Sequence, residues 1–466
     1  MISYKLKIGV LTIRRLITEP PKRIGIFQSD YAVENKEITL KFLREHYENE
    51  NTKFVDIEFL NEEGLLRRPE DCARVSEHFK KEGINALFIV NCNFGEERVA
   101  AEVAKALSVP TLLWGPRDRY FDKEMRYTDT QCGLFAMSKA LKRNGVKFSY
   151  IENCDITAPA FDRGVRQFLG VACMVNNFKN LKLLTIGARL RPFKSIMYNE
   201  LELCERFGID VISVNLVEAM NTLKEIYENE RERLAAELPA LKATFDCTGA
   251  DDEMLLKLLA TVTFFERMAE THGTNIIGTD CWSGFAAGIG VAPCLAMSLA
   301  AEKGIFVTCE GDVFMSITNV LLLSATRGEG KPLQGEFTAR HPENDNAELL
   351  WHCGPFPASC AAEGEKPRLI SLKPTFRVRD GEYTLARFQA AEGKYYLLGG
   401  TLRTCEGPET FGTYLWAEFK DLPKLERKLI EGPYIHHVSE IYGDFTAYLK
   451  EFCKFVDGVE FDPLED

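Results

Sequence analysis

Three short stretches of this chain carry residues able to hold a hard divalent cation or to move a proton beside one. The first, FVTCEGDV (306–313), runs an apolar strand pattern straight into Glu310 and Asp312, with Gly311 between them. Acidic residues at the carboxyl end of a strand, ahead of a helix, sit where α/β proteins place their ligand sites. The same spacing also reads as an ordinary strand-to-helix turn, and on either reading Asp312 is expected to cap the helix. The second stretch, QGEFTARHPENDNAELLWHCG (334–354), sets Glu336 at the start of an extended run and ends a second apolar run on His352. Taken singly, Glu336 reads equally as a solvent-facing strand residue and His352 as a hydrogen-bonded, half-buried histidine. The third, GPYIHHVSEIYGD (432–444), places His436 and His437 side by side after a Gly-Pro turn and ahead of a helical pattern. Neighbours on extended backbone point to opposite sides, so at most one of the pair ligates a given metal.

Together these stretches offer two carboxylates and one imidazole. That donor set suits Mn²⁺, Mg²⁺ or Co²⁺, with water and substrate oxygens completing the shell. The 14 cysteines are scattered without a CxxC pair. This favours free thiols over a disulfide framework and speaks against a zinc ribbon.

The elements that must position these residues alternate in type. RIGIF, centred on 24–27, FVDIEFL (54–60), NALFIVN (85–91) and PTLLWG (110–115) read as strands. Helical patterns near 35–48, 70–81 and 96–107 separate them. Strands alternating with helices imply a parallel sheet covered on both faces. The pattern repeats with strands at 181–188 and 209–214 and helices at 192–208, closed by Gly208, and at 216–238. After about residue 365 the character changes to period-2 alternation punctuated by DG, EG and GG turns, the mark of antiparallel hairpins. The final segment, from SEIYGDF onward, returns to helical spacing. The fold class expected is α/β: two N-terminal doubly wound parallel-sheet domains (1–175 and 176–355) and a C-terminal part (356–466) containing an antiparallel β-barrel and a terminal helix.

At this point the sequence resembles the L-fucose/L-arabinose isomerase superfamily. TCEGD (308–312) is similar to the family segment carrying the first metal carboxylate, which implies Glu310. GEF (335–337) stands in the place of the second acidic ligand, implying Glu336. IHHVSEIYGDFTAYL (435–449) is similar to the C-terminal histidine segment, and with Gly443 in register it selects His437 over His436. LLWHCG (349–354) and IGARLRPF (186–193) resemble segments of short fucose-isomerase-like proteins. The resemblance implies a cytoplasmic, Mn²⁺-dependent (or Mg²⁺- or Co²⁺-dependent) enzyme that interconverts a free aldose and its ketose through a cis-enediol. It implies that Glu310 and Glu336 combine metal ligation with acid/base work and that His437 is the imidazole ligand. It also gives His352, Trp282 and Arg191 as candidates for substrate contact, Trp282 by stacking on the sugar. A homo-oligomer, trimer or hexamer, with the site at a subunit boundary is expected, acting on a small neutral sugar such as L-fucose or L-arabinose.

Bulk properties agree with a sugar enzyme. The net charge of −12 argues against a nucleic-acid binder, which needs clustered Lys and Arg. No apolar stretch approaches the length of a membrane span, and the N-terminus, broken by Lys5, Lys7, Arg14 and Arg15, is a poor signal peptide. Two competing functions remain at this level: a non-catalytic sugar-binding protein, and an isomerase of a modified or phosphorylated sugar.

Overall fold

The computed structural model describes residues 1–16, 27–123 and 125–465. These divide into two compact units, one formed by 4–176 with 454–457 and the other by 1–3, 177–453 and 458–466.

The first unit is built on a parallel sheet of β1 (Leu6–Ile13), β2 (Thr52–Val55), β3 (Ala86–Asn91), β4 (Thr111–Trp114) and β5 (Ser149–Tyr150), in the order β2-β1-β3-β4-β5. Every residue of β3 is buried. Ile8, Val10, Phe88, Val90 and Leu112 pack into one core and Leu11, Ile13, Leu87, Ile89 and Leu113 into another. Alternate residues thus serve opposite faces, as a doubly wound sheet with helices on both sides requires. The lysine-broken N-terminal stretch turns out to contain the first strand. The strand expected at 24–27 falls largely on residues outside the described ones.

The second unit carries another parallel sheet, of β6 (Lys182–Ile186), β7 (Asp210–Val214), β8 (Ile276–Thr279) and β9 (Phe306–Thr308), ordered β7-β6-β8-β9. The helix expected over 192–208 is confined to Glu200–Phe207, because Asn199 caps it by accepting a hydrogen bond from the Glu202 amide; Gly208 closes it in the left-handed conformation. The single helix expected over 216–238 is two, Leu216–Asn229 and Arg231–Thr244, meeting at Glu230.

From residue 333 the chain forms β10 (Leu333–Arg340), β11 (Ala347–His352), β12 (Arg368–Ile370), β13 (Lys373–Arg377), β14 (Glu382–Ala391), β15 (Lys394–Cys405), β16 (Thr413–Glu418), β17 (His437–Tyr442) and β18 (Val459–Pro463). Strands β11, β10, β17, β14, β15 and β16 pair in that order, antiparallel, and the β15–β16 pairing closes them into a barrel. The Glu392-Gly393 turn joining β14 to β15 has positive φ at both residues, the two-residue hairpin that an EG pair predicts. The barrel starts earlier than the change of pattern near 365 suggests. The segment after the histidine pair also departs from expectation: His437–Tyr442 is a barrel strand flanked by β10 and β14, and the helix begins only at Thr446. The charges of SEIYGD mimic helical spacing, but Ser439 and Glu440 are paired on both sides, to β10 and to β14.

Inside the barrel sits Glu440, fully buried, with neither carboxylate oxygen meeting a well-directed donor. Gly335 makes room for it, since a Cβ there would lie 2.3 Å from Glu440 Oε1. Burial pushes the Glu440 carboxyl up to about 8. A carboxyl raised on folding holds its proton better in the native state, so stability falls as pH climbs from the ordinary carboxylate range toward 8. Glu440→Gln is therefore expected to raise Tm at pH 8.5 by at least a few degrees, with a smaller gain at pH 5, in paired thermal melts.

Candidate active site

The second unit's parallel sheet ends its strands on one set of loops. β6 leads to the 187–199 loop, β8 to Asp280, Cys281 and Trp282, and β9 to Cys309, Glu310 and Asp312. The chain leaves β6 toward β7 on one side and returns through β8 on the other, so the crevice lies at a topological switch point, where open α/β sheets bind ligands. Glu310 itself has φ of 64°. A non-glycine residue in this left-handed region costs about 1 kcal/mol or more. Here it turns the buried Glu310 carboxylate back toward the barrel strands.

His437, the first residue of β17, meets that carboxylate: Nε2 lies 3.1 Å from Glu310 Oε2. On the neighbouring strand β10, Glu336 is His437's direct cross-strand partner and brings Oε2 to 3.9 Å from the same Nε2. His352, the last residue of β11, completes the group. Its ligand atom and those of Glu310 and His437 lie within 4.8 Å of one another. Glu310 Oε2, His352 Nε2 and His437 Nε2 are all buried, and apart from the 3.1 Å approach of the first to the last they have no hydrogen-bond partner among the described residues. Buried polar atoms left unpaired are rare and costly. Glu310 Oε2 and His437 Nε2, with the Glu336 carboxylate beside them, form a donor set that fits a divalent cation. The Cys353 amide donates to His352 Nδ1 at 2.9 Å, so the neutral ring carries its proton on Nε2, facing the group as the expected substrate contact would.

Asp312 does more than cap. Oδ1 accepts from the Met315 amide at 3.0 Å, as the sequence anticipates. Oδ2 accepts the Nδ1–H of His437 at 2.9 Å, which leaves Nε2 free to face Glu310. The buried Arg387 of β14 grips both Asp312 oxygens, at 2.7 and 3.3 Å, and donates to Gln389 Oε1 from Nε and Nη2. Burial alone would raise the Asp312 carboxyl, but Arg387 and His437 outweigh it and hold it far below the carboxylate range. Burial alone would likewise depress His437, yet its bonds to Asp312 and Glu310 lift it to about 9. Sequence reasoning did not find Arg387 and Gln389. The available signal was a charged and a polar residue at i and i+2 of the otherwise apolar LARFQAA.

The remaining expected residues frame the opening. The Trp282 indole N–H donates to Glu310 Oε1 at 2.9 Å while the residue stays 51% exposed. Phe193 packs edge-on against Trp282 and near both His436 and His437. His436 stands at the edge of the group: its Nε2 is 3.7 Å from Glu336 Oε2, its ligand atom lies within 4.8 Å of those of Glu336 and His437, and burial with His437 nearby lowers it to about 4. Arg191 lies exposed on the loop that carries Phe193, outside the ligand cluster.

Residues 21–179 match the fucose/sulfoquinovose isomerase N-terminal domain model. That match covers the N-terminal third of the chain and agrees with the fucose-isomerase-like resemblance of its later motifs. It is similar to the sulfoquinovose isomerase of Priestia megaterium, 22% identical over 405 residues, covering 85% of this chain and 89% of that protein. It is also similar to that of Alkalicoccus urumqiensis, at 22% over 376 residues (79% and 83% covered), and to that of Clostridium sp. strain MSTE9, at 23% over 372 residues (77% and 81%). These relatives are named for sulfoquinovose, not for L-fucose or L-arabinose.

The Asp312 bonds predict a measurable asymmetry. Asp312→Asn keeps the helix cap but leaves Arg387 buried without its counter-charge, and is expected to cost about 3–5 kcal/mol in urea unfolding. Asp312→Asn with Arg387→Met is expected to recover much of that stability. It should still bind Mn²⁺ roughly 10–100-fold more weakly by calorimetry, because His437 has lost its orienting carboxylate.

Proposed function

We propose that this chain is a divalent-metal-dependent aldose–ketose isomerase whose substrate is a sulfonated aldose such as sulfoquinovose. The observation that supports it most is the convergence of the buried Glu310 Oε2 and His437 Nε2 with the half-buried Glu336 on one point, His352 Nε2 facing the same point. Glu310, Glu336 and His437 would hold the metal, and the Nε2–H of His352 would donate to a substrate oxygen. A bound divalent cation supplies Lewis-acid stabilisation of the oxygen charge that develops at the substrate's O1 and O2.

The chain's own residues supply the rest. Burial, reinforced by the charge of Glu310, raises the Glu336 carboxyl. A carboxyl tuned upward and still open on one side is suited to take the C2 proton of the aldose and return it to C1 of the enediol. Glu310 is held below the usual range by His437 and by the Trp282 indole, against the opposing effect of burial, and so stays an anion. Asp312 keeps the His437 proton on Nδ1. Trp282 and Phe193 form an apolar wall at the mouth, which suits the C–H face of a sugar. Arg191, an exposed guanidinium two residues from Phe193, is the cation we assign to the sulfonate. Arginine matches a tetrahedral oxyanion through paired N–H donors.

The test is conversion of an aldose panel, sulfonated and neutral, by metal-stripped enzyme with Mn²⁺ returned, followed by NMR in D₂O. Sulfonated ketose carrying deuterium at C1 is the expected product; absence of any metal-dependent isomerisation overturns the reading. Glu310→Gln should abolish turnover while the protein stays folded. His437→Ala should lower kcat by at least about 100-fold, and His436→Ala far less. Arg191→Met should raise KM for the sulfonated aldose about tenfold and leave neutral aldoses unaffected.

A further inference from the structure

Two cysteines from separate segments meet behind His352, and the mechanism above uses neither. Cys353 follows His352 at the end of β11, and Cys294 opens the helix Cys294–Glu302. They stand far apart in the chain, yet their sulfurs are 3.4 Å apart. Two further bonds hold the segments in this register. Ser298 Oγ donates to the Phe356 carbonyl at 2.6 Å, and the Ser359 amide donates to Glu302 Oε1 at 2.7 Å. An S–S bond of about 2.05 Å needs the sulfurs to close by about 1.4 Å, a shift within reach of side-chain rotation. The pair is asymmetric. Cys294 is buried, whereas Cys353 is only partly so. Donation from Cys294 and from Cys309 holds the Cys353 thiol well below its ordinary range against burial, and the same Cys294–Cys353 bond pushes Cys294 up. A low, partly accessible thiol beside a protonated one is the arrangement of an attacking and a resolving cysteine. Cys309 is another thiol near Cys353, but its Sγ is turned to the Met297 thioether at 3.8 Å.

We propose that Cys353 and Cys294 are a reversible thiol–disulfide pair, oxidised by hydrogen peroxide, whose closure switches off the substrate contact of His352. The Cys353 sulfur attacks one peroxide oxygen and the O–O bond breaks. The departing hydroxide takes the proton that Cys353 gave up and leaves as water, and Cys353 becomes the sulfenic acid. The Cys294 sulfur then displaces hydroxide from the Cys353 sulfur, and the Cys294 proton converts that hydroxide to the second water. The two thiols lose two electrons and the peroxide gains them. A dithiol reductant reverses the bond by exchange. The consequence reaches the site through one ring. The Cys353 amide donates to His352 Nδ1 at 2.9 Å, and Cys353 Sγ lies 3.4 Å from the same nitrogen. Closing the disulfide draws Sγ toward the helix Cys294–Glu302, away from the ring, and shifts the residue whose amide fixes the Nε2–H tautomer. The loss of turnover rests on the isomerase reading; the disulfide does not.

In the experiment the reduced full-length protein is desalted, exposed to hydrogen peroxide, alkylated and peptide-mapped. The expected result is a Cys294–Cys353 disulfide. Turnover of the sulfonated aldose should fall at least about tenfold with it, as the loss of one substrate hydrogen bond predicts, and dithiothreitol should restore it. Cys294→Ala should turn over normally when reduced and should accumulate a dimedone-reactive Cys353 sulfenic acid in place of the disulfide. The chain has only seven histidines, so ¹⁵N-histidine NMR reads the His352 ring directly. Its resonances should move on oxidation, whether or not a sugar is turned over. If the reduced protein turns over no aldose, the isomerase reading falls, and the map and the NMR still decide the pair. Cys353 that stays reduced while the exposed Cys132 and Cys204 oxidise overturns the proposal, as does a Cys309–Cys353 disulfide. A Cys294–Cys353 disulfide that leaves the His352 resonances and turnover unchanged overturns the switch.

Discussion

The site depends on one buried ion pair. Arg387 and Asp312 are both fully shielded from solvent, and each is committed on several sides. Asp312 caps the helix Val313–Ala325, accepts from His437 and accepts from Arg387. Arg387 adds Gln389 on its own strand. Through these bonds the loop after β9 is fixed to β14 and β17 of the barrel. A buried charge pair is a poor source of net stability, because desolvation of both ions consumes most of the attraction. What it secures is position. With Asp312 held, His437 has one tautomer and one ring orientation, and its free nitrogen can face only toward Glu310.

Position is also what the strained backbone at Glu310 provides. The parallel sheet brings β9 to its switch point, but a strand continuing straight into a helix would aim its side chains along the crevice. The left-handed turn at Glu310 and Gly311 reverses the chain within two residues, so that Glu310 turns inward and Asp312 still reaches the helix N-terminus. The barrel answers from the other side. The antiparallel pairing of β10 with β17 makes Glu336 and His437 direct neighbours, so one register sets two of the donors together. A one-residue slip would send both to the opposite face.

Much of this was legible in the sequence because it follows local rules. The CEGD stretch reads as a strand-end ligand loop with a cap, and the GEF and IHH stretches read as donor carriers. The alternation of strands with helices and the EG hairpin each follow from period and turn chemistry. What was not legible is set by tertiary contact. His437 and Arg387 lie far from Asp312 in sequence, and nothing local says that β14 and β17 flank one another. His352 read as a semi-buried histidine because its approach to Glu310 and His437 is visible only once β11 is placed beside β10. The helix–strand confusion at 439–442 has the same origin, since pairing with β10 and β14 decides the conformation that the charge spacing left ambiguous.

The charge at the site argues for what completes it. Glu310, Asp312 and Glu336 bring three carboxylates into the neighbourhood of His437, against the single guanidinium of Arg387. His436 is neutral, depressed by burial. The excess of negative charge is what drives the His437 pKa up to about 9. A proton on His437 Nε2 and a divalent cation facing it answer the same field, and they exclude one another, because ligation needs the lone pair that the proton occupies. A cation can face Glu310, Glu336 and His437 together, whereas a proton on Nε2 bridges one pair. That difference in what each can satisfy is the reason for proposing a divalent ion at this point.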